Sequence, residues 1–305
     1  NSISKELKNA MMATILLLFA LLEGSSTHAS LPEWDDRMSL MTAAVAPLAL
    51  DFRGLDSPAV TLSQTTTYRL FLPLTLAMPS DCAPIPGVEY RTLEVGDDPT
   101  DRPAEQHADL NLALRGYEPT TAYLGLVDYD GHDDSRAPQL HTLFLDARVP
   151  VFARAFRVYD WDWDCNCRAG LLAYPEVTLA GMAVTPGEVL RLPDSGYDIG
   201  GGFEALVLYA AEDRITLKYT CEDSVALGYA IHVEGVCVEP RLLALYREWN
   251  AAGRRRLPAL RGLQPFGRAM GGEVGVAIRD TGTFMDPRAR QSWWEARWAP
   301  ARRVD

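Results

Sequence analysis

A chain of 305 residues, 48% of them hydrophobic, is long enough to bury one large core or two smaller ones and too apolar to be disordered. The 41 acidic residues outnumber the 29 Lys and Arg, giving a formal net charge of -12. That balance excludes a phosphate-backbone binder, which needs clustered cations, so no nucleic-acid partner is expected. The short basic run Arg254-Arg-Arg256 reads as a solvated helix end.

Lys5 and Lys8 precede an apolar run, Ala13-Thr-Ile-Leu-Leu-Leu-Phe-Ala-Leu-Leu22, which a small-residue stretch ending at Ala29 follows. Residues 1–29 therefore read as a secretory signal peptide cut after Ala29. The run is shorter than the ~20 residues a spanning helix needs, which leaves an uncleaved anchor as the alternative. The expected mature protein is secreted or held in a bacterial cell envelope, with no membrane span. Residues 30–84 carry Pro32, Pro47 and Pro58 without a sustained period and read as a linker or arm. Within them Tyr68–Leu76 is strand-like, but Pro73 confines it to an edge or a docking segment.

Residues 85–185 read as a smaller β-rich module. Its start, through Pro103, is turn-rich, with Asp97, Asp98 and Asp101 solvated. Ala122–Val127 is an expected strand, and Leu143–Phe156 supplies one or two more. Asp128–Asp134 places oxygen ligands at alternate positions before a glycine; it reads as an acidic turn or the start of a calcium loop, without the Glu such a loop needs at its twelfth position. In Asp160-Trp-Asp-Trp-Asp-Cys-Asn-Cys167, a period of two puts Asp160, Asp162 and Asp164 on one face and Trp161 and Trp163 on the other. The tryptophans either pack inward from a half-buried strand or form a platform for sugar rings. Cys165 and Cys167 make a C-x-C pair. Cys221 and Cys237 flank an expected strand and form either a disulfide or two buried thiols, with Cys82 left over.

From Pro193 to Pro287 the pattern sharpens. Alternating apolar strands are expected at 205–209, 214–219, 228–233 and 273–279, with a short helix over 242–251 whose Leu242, Leu243 and Tyr246 face the core. A turn is expected at Gly262-Leu-Gln264-Pro-Phe-Gly267. The region contains no Gly-x-Ser-x-Gly elbow and no Gly-Lys-Ser/Thr phosphate loop. The tail, 291–305, carries Trp293, Trp294 and Trp298, expected to pack over the domain.

These 95 residues, with Asp194-Ser-Gly196-Tyr-Asp198 first, Tyr246-Arg-Glu248-Trp and the Gly262–Gly267 turn next, and Glu273-Val-Gly275-Val-Ala-Ile278-Arg279 before Asp286-Pro287, resemble the catalytic domain of lysostaphin-type zinc endopeptidases, which cut peptide cross-links in bacterial cell walls. That family opens on His-x-Gly-x-Asp, has a Tyr-Ala-His-Leu segment and a Gly-Gln-x-x-Gly turn, and closes on His-x-His-Phe-Glu-Ile-Arg. The resemblance implies a mostly β fold, with a lysostaphin-type β-barrel or sandwich domain at 186–290. It also implies a peptide groove bordered by Tyr197, Tyr246 and Gly275.

Only Asp198 keeps a metal-ligand identity; Asp194 and Gly275 stand where two ligating histidines would be, and Glu248 and Glu273 where the catalytic histidines would be. A catalytic zinc wants three protein ligands and an open position for water, and glycine offers none. The leading expectation is a degenerate, non-hydrolytic domain without a cofactor. Its acidic groove (Asp194, Asp198, Glu248, Glu273) would bind amino groups of cell-wall peptide (peptidoglycan) or an envelope protein. The alternatives are an active metallopeptidase with zinc on Asp194, Asp198 and His232, and a structural envelope or filament subunit. His232 also reads as an ordinary strand-face histidine, and the acids as holders of a hard cation such as Ca²⁺.

Overall fold

The computed structural model describes residues 82–129 and 134–295. The expected signal peptide, nearly all of the expected arm with its Tyr68–Leu76 strand, the middle of the Asp128–Asp134 turn and residues 296–305 lie outside the described residues.

The fold is mostly β. A large antiparallel sheet has the order β1 (Arg91–Glu94), β11 (Arg256–Leu260), β7 (Ala205–Ala210), β8 (Arg214–Lys218), β9 (Tyr229–Glu234), β13 (Glu273–Asp280), β5 (Leu179–Ala183), β3 (Phe152–Asp162) and β2 (Tyr117–Thr120). β4 (Cys167–Leu171) extends β3, and β14 (Thr283–Met285) folds back on β13. A smaller sheet joins β6 (Val189–Arg191), β12 (Pro265–Ala269) and β10 (Val236–Val238). The large sheet ends at β1 and β2 and closes no barrel. β13 pairs with β9 on one side and β5 on the other, so strands from before and after residue 185 share one sheet.

The period of two assigns the faces. Ile215 and Leu217 of β8, Ile231 and Val233 of β9, and Val274, Val276 and Ile278 of β13 enter the main core. The intervening positions are Thr216 and Lys218, His232 and Glu234, and Ala277 and Arg279. They are buried too, although most are polar or charged. The strap formed by residues 104–115 covers this second face. It contains a single turn of 3₁₀ helix and α1 (Leu112–Arg115). Leu112 packs there in a small cluster with Phe156, Leu179, Ala277 and Phe284.

The main helix, α2 (Pro240–Ala251), starts on Glu239, whose carboxylate accepts from the backbone N–H of Arg241 and Leu242. Pro240 at the first helical position has no N–H to lose. Leu242, Leu243 and Tyr246 are buried, and the helix packs on β11 and β7. Past its end Arg254 takes a positive φ of 59°, held by a two-point ion pair with Asp223. The last helix, α3 (Arg290–Trp293), buries Trp293, and Trp294 beside it is buried as well.

Three sequence expectations change here. Ala122–Val127 is not a strand: Val127 bonds to the backbone beyond β14, and Tyr123 and Leu124 point into solvent. The second half of the expected 262–267 turn is strand β12, in which Gly267 runs so close to Cys237 that a Cβ would lie 2.5 Å from its carbonyl oxygen. Cys237 is bonded to Cys82, across a sequence separation of 155, rather than to Cys221. Cys237 belongs to the smaller sheet, whereas the free Cys221 sits beyond β8 with its Sγ 3.0 Å from Ile199 O.

Candidate functional site: an acidic cleft with an aromatic wall

The residues singled out by the resemblance are dispersed. Asp198 shapes its own turn, its Oδ1 accepting from Gly200 N and Gly202 N at 2.8 and 3.1 Å. Asp194 lies beside Glu204, and Glu204 accepts from both the backbone and the hydroxyl of Ser195. Burial, with the Asp194 charge adding to it, raises the Glu204 pKa against those two bonds. Tyr197 donates to Asp134 at 2.6 Å, stacks under Arg136 and meets Tyr229 edge-on. Tyr246 is buried against Tyr209, and Glu248 is exposed on α2.

Glu273 forms an ion pair with Arg154 at 2.8 Å. It lies over Gly181, where any Cβ would strike its carboxylate. Gly275 faces Leu179, which leaves a Cβ only 3.1 Å of room, so packing explains the glycine.

The sheet register shows how far apart these positions stand. The Asp194–Asp198 turn is tied to one end of β8 and β9: Tyr219 donates to Pro193 O, and Tyr197 packs on Tyr229, the partner of Asp280. Glu273 lies seven residues from Asp280 along β13. At ~3.3 Å per residue that is about 23 Å. The structure therefore does not join Asp194 and Asp198 with Glu273 and Gly275 in one groove.

His232 belongs to neither end. It is 1% exposed on the second face and stacks on Phe284. The Thr216 hydroxyl donates to Leu110 O at 2.7 Å, so its oxygen accepts from His232 Nδ1–H at 2.9 Å. Burial first, then the Arg279 charge, push the His232 pKa down to about 3. Among the described residues no group of three or more His, Cys, Asp or Glu side chains is placed to hold a metal ion. Asp194, Asp198 and His232 do not fit the zinc that the resemblance implies.

A different part of the surface gathers chemistry. Asp97, Asp98, Thr100, Asp101, Arg102, His107, Asp109, Trp163, Asp223 and Ser224 line a cleft of about 340 Å³. Its back is fixed by charge pairing. Asp109 binds Arg279 at 2.6 Å and Arg115 at 2.7 Å. Burial alone would raise the Asp109 pKa, and the two guanidiniums hold it below the ordinary carboxylate range. Asp223 binds Arg254 at 2.5 Å, accepts from Thr100 N and donates its own N–H to Asp97.

At the front, Asp97, Asp98 and Asp101 are exposed. Arg102 hydrogen-bonds Asp101, which lowers that carboxyl's pKa, and lies 5.1 Å over the Trp163 ring. The indole is 43% exposed. Neither half of the inward-packing expectation for the tryptophans holds at Trp163, because β3 ends at Asp162 and Trp163 opens a turn.

His107 defines what the cleft can do. Its Nδ1 accepts from Asp109 N at 3.2 Å, so the proton sits on Nε2, which faces Asp101 Oδ1 at 3.9 Å. Burial lowers its pKa, against the pull of Asp109 and Asp101, and the ring is neutral at pH 7. Ser224 lines the same cleft, but both imidazole nitrogens are already directed elsewhere. No lone pair is left to take a serine proton, which a Ser–His–Asp set requires. Inward, Lys218 is fully buried without a hydrogen bond, and burial brings its pKa down to about 8.

The Gly262–Gly267 turn lines a second cleft of about 480 Å³. Two of its polar side chains are already engaged: Gln264 donates to Glu89 O and accepts from Arg261 N, and Arg261 stacks on Phe203.

Sequence reasoning left Asp97, Asp98 and Asp101 as solvated turn residues. The one available signal was the tryptophan–aspartate alternation, whose platform reading concerned Trp163. No family model matches the chain, and neither a characterised protein nor a solved structure matches it. The class these observations define is a two-sheet, mostly β protein with an acidic, aromatic-walled cleft. Among the described residues no helix is long and apolar enough to cross a membrane.

Proposed function

We propose that this chain is an exported, non-hydrolytic binding protein of the cell envelope. Its cleft takes the amino-bearing peptide portion of cell-wall material. The observation that carries the reading is the juxtaposition of three exposed carboxylates, Asp97, Asp98 and Asp101, with the exposed Trp163 indole in one concavity. An ammonium group gains charge-assisted hydrogen bonds from the carboxylates, while the aliphatic stem or ring next to it covers the indole. The His107 tautomer favours binding over hydrolysis. Two disulfides support an oxidising compartment and therefore export.

Relative to the sequence reading, the acidic site moves from the Asp194, Asp198, Glu248 and Glu273 positions to the Trp163 cleft. The test is retention on insoluble peptidoglycan, together with titration of a Lys-containing cell-wall peptide followed by tryptophan fluorescence. Trp163→Ala and the pair Asp98→Asn, Asp101→Asn should each weaken binding about tenfold or more, and added salt should weaken the wild type. Wild-type protein that is not retained, or binding indifferent to all three substitutions, overturns the proposal.

A further inference from the structure

The hairpin that carries Trp163 also carries a disulfide that the cleft does not use. β3 and β4 project as a two-stranded finger, with Asp162 opposite Cys167 and a turn over residues 163–166 between them. At its tip Cys165 and Cys167 are bonded to each other, with Cα atoms 5.3 Å apart. Both cysteines are exposed, as is every residue of β4.

The other disulfide makes the contrast. Cys82–Cys237 spans 155 residues, and Cys237 is buried in the smaller sheet. A cross-link that closes a long loop is favoured by the chain entropy it removes, and burial shields it from thiolates. One that closes two residues has almost no loop to restrain, and exposure leaves both sulfurs open to in-line attack. Arg102 donates to Asn166 Oδ1 inside the turn, and Asp162 Oδ1 accepts from Asp164 N and Cys165 N, so the turn has bonds of its own without the sulfur bridge.

We propose that Cys165–Cys167 is a thiol–disulfide exchange site that accepts the thiols of a cationic partner. A partner thiolate attacks one cysteine Sγ. The Cys165–Cys167 bond breaks, a mixed disulfide forms, and the other cysteine leaves as a thiolate and takes a proton from water. A second thiol of the same partner attacks the mixed disulfide and releases the first cysteine. The partner dithiol is oxidised by two electrons to a disulfide, and Cys165 and Cys167 are reduced to two thiols. A low-molecular-weight disulfide returns them to the bonded state by the reverse exchange.

The exposed carboxylates of Asp160, Asp162 and Asp164 flank the tip and repel anionic thiols. The partner is therefore a thiol peptide or protein segment rich in Lys or Arg. The inference rests on the hairpin alone and stands or falls independently of ligand binding in the cleft.

The test uses the oxidised full chain with cysteamine, a cationic thiol, or 2-mercaptoethanesulfonate, an anionic one. Alkylation and peptide mapping then follow. Cys165 and Cys167 should become alkylated at cysteamine concentrations that leave Cys82–Cys237 bonded. Cysteamine should react about tenfold faster than the sulfonate at low ionic strength, and salt should narrow the gap. Cys167→Ser should form a mixed disulfide on Cys165 with cystamine, the disulfide of cysteamine, releasing one cysteamine. A basic peptide with two cysteines should be oxidised at one equivalent per chain, and the Cys165→Ser, Cys167→Ser double variant should leave it reduced. Reduction of both disulfides over the same cysteamine range, reaction only after the circular dichroism of the fold is lost, equal rates with the two thiols, or a peptide left reduced overturns the proposal.

Discussion

The second face of the sheet makes acid stability depend on one imidazole. His232 is 1% exposed, holds the Thr216 hydroxyl through Nδ1–H and has no hydrogen-bond partner at Nε2. Protonation would place a cation among Arg279 and Arg115, with Asp109 the carboxylate nearest to offset it. The folded pKa is about 3 and the ordinary value 6.5. Between those two values the unfolded chain binds the extra proton and the folded chain does not. This contribution is therefore fully present above pH 6.5 and is lost as the pH falls toward 3.

Each pH unit inside that window costs about 1.4 kcal/mol, so moving from pH 6.5 to 4.5 removes roughly 2.7 kcal/mol. The perturbation is His232→Asn, whose amide N–H can still reach the Thr216 oxygen. It costs about 1–2 kcal/mol at pH 7 through the packing lost against Phe284, and that cost does not vary with pH. Urea denaturation of both proteins at pH 7.0, 5.5 and 4.5 measures the difference. The wild type should start as the more stable protein and fall level with the variant, or below it, by pH 4.5. A stability gap constant within about 0.5 kcal/mol across that range refutes the argument.

Two further outcomes follow from buried contacts. Asp223→Asn leaves the Arg254 guanidinium, 5% exposed and at positive φ, without its counter-charge, and should cost about 3–5 kcal/mol in urea denaturation. Cys237→Ser opens the 155-residue cross-link and should cost about 2–5 kcal/mol, whereas the Cys165→Ser, Cys167→Ser pair should move the denaturation midpoint only within error.

The strands of the C-terminal half were legible because their faces differ. Arg214–Lys218, Tyr229–Glu234 and Glu273–Asp280 show apolar residues at alternate positions, Ala205–Ala210 is an unbroken apolar run, and all four are neighbours near the middle of the large sheet. The helix over 240–251 was legible from Pro240 and the Leu242, Leu243, Tyr246 spacing. Ala122–Val127 is an apolar run without alternation and turns Tyr123 and Leu124 outward, since the backbone near it bonds to a loop rather than to a strand. The Cys82–Cys237 bond and the cleft were not legible for a common reason. Each joins segments far apart in sequence, and no local pattern records which distant strand end lies opposite. The cleft brings together residues 97–109, 163 and 223–224; Asp97, Asp98 and Asp101 alone read as solvated turn residues, and Trp163 as part of an alternating strand.

The cost of the polar face is what fixes the cleft in place. Lys218, His232, Glu234 and Arg279 are each at most 6% exposed, and a face so built must be covered by groups that satisfy it. The 104–115 strap satisfies part of it at set positions: Leu110 O meets Thr216, and Asp109 sits between Arg279 and Arg115. A shift of the strap by one residue would strand two guanidiniums and a carboxylate, each costing several kcal/mol, on the order of the whole stability of a domain. The strap is thus held in register, and with it His107 and the back wall of the cleft. The front is tied separately through Asp223, which binds Thr100 N, Asp97 and Arg254 at once. Carboxylates positioned by two independent networks present their charge with little reorganisation on binding. Trp163, carried on the β3–β4 hairpin, meets the strap through an edge contact with the His107 ring 5.2 Å away and lies under Arg102. On the proposed reading, the fixed acids would select the amino group and the exposed indole would cover the apolar part attached to it.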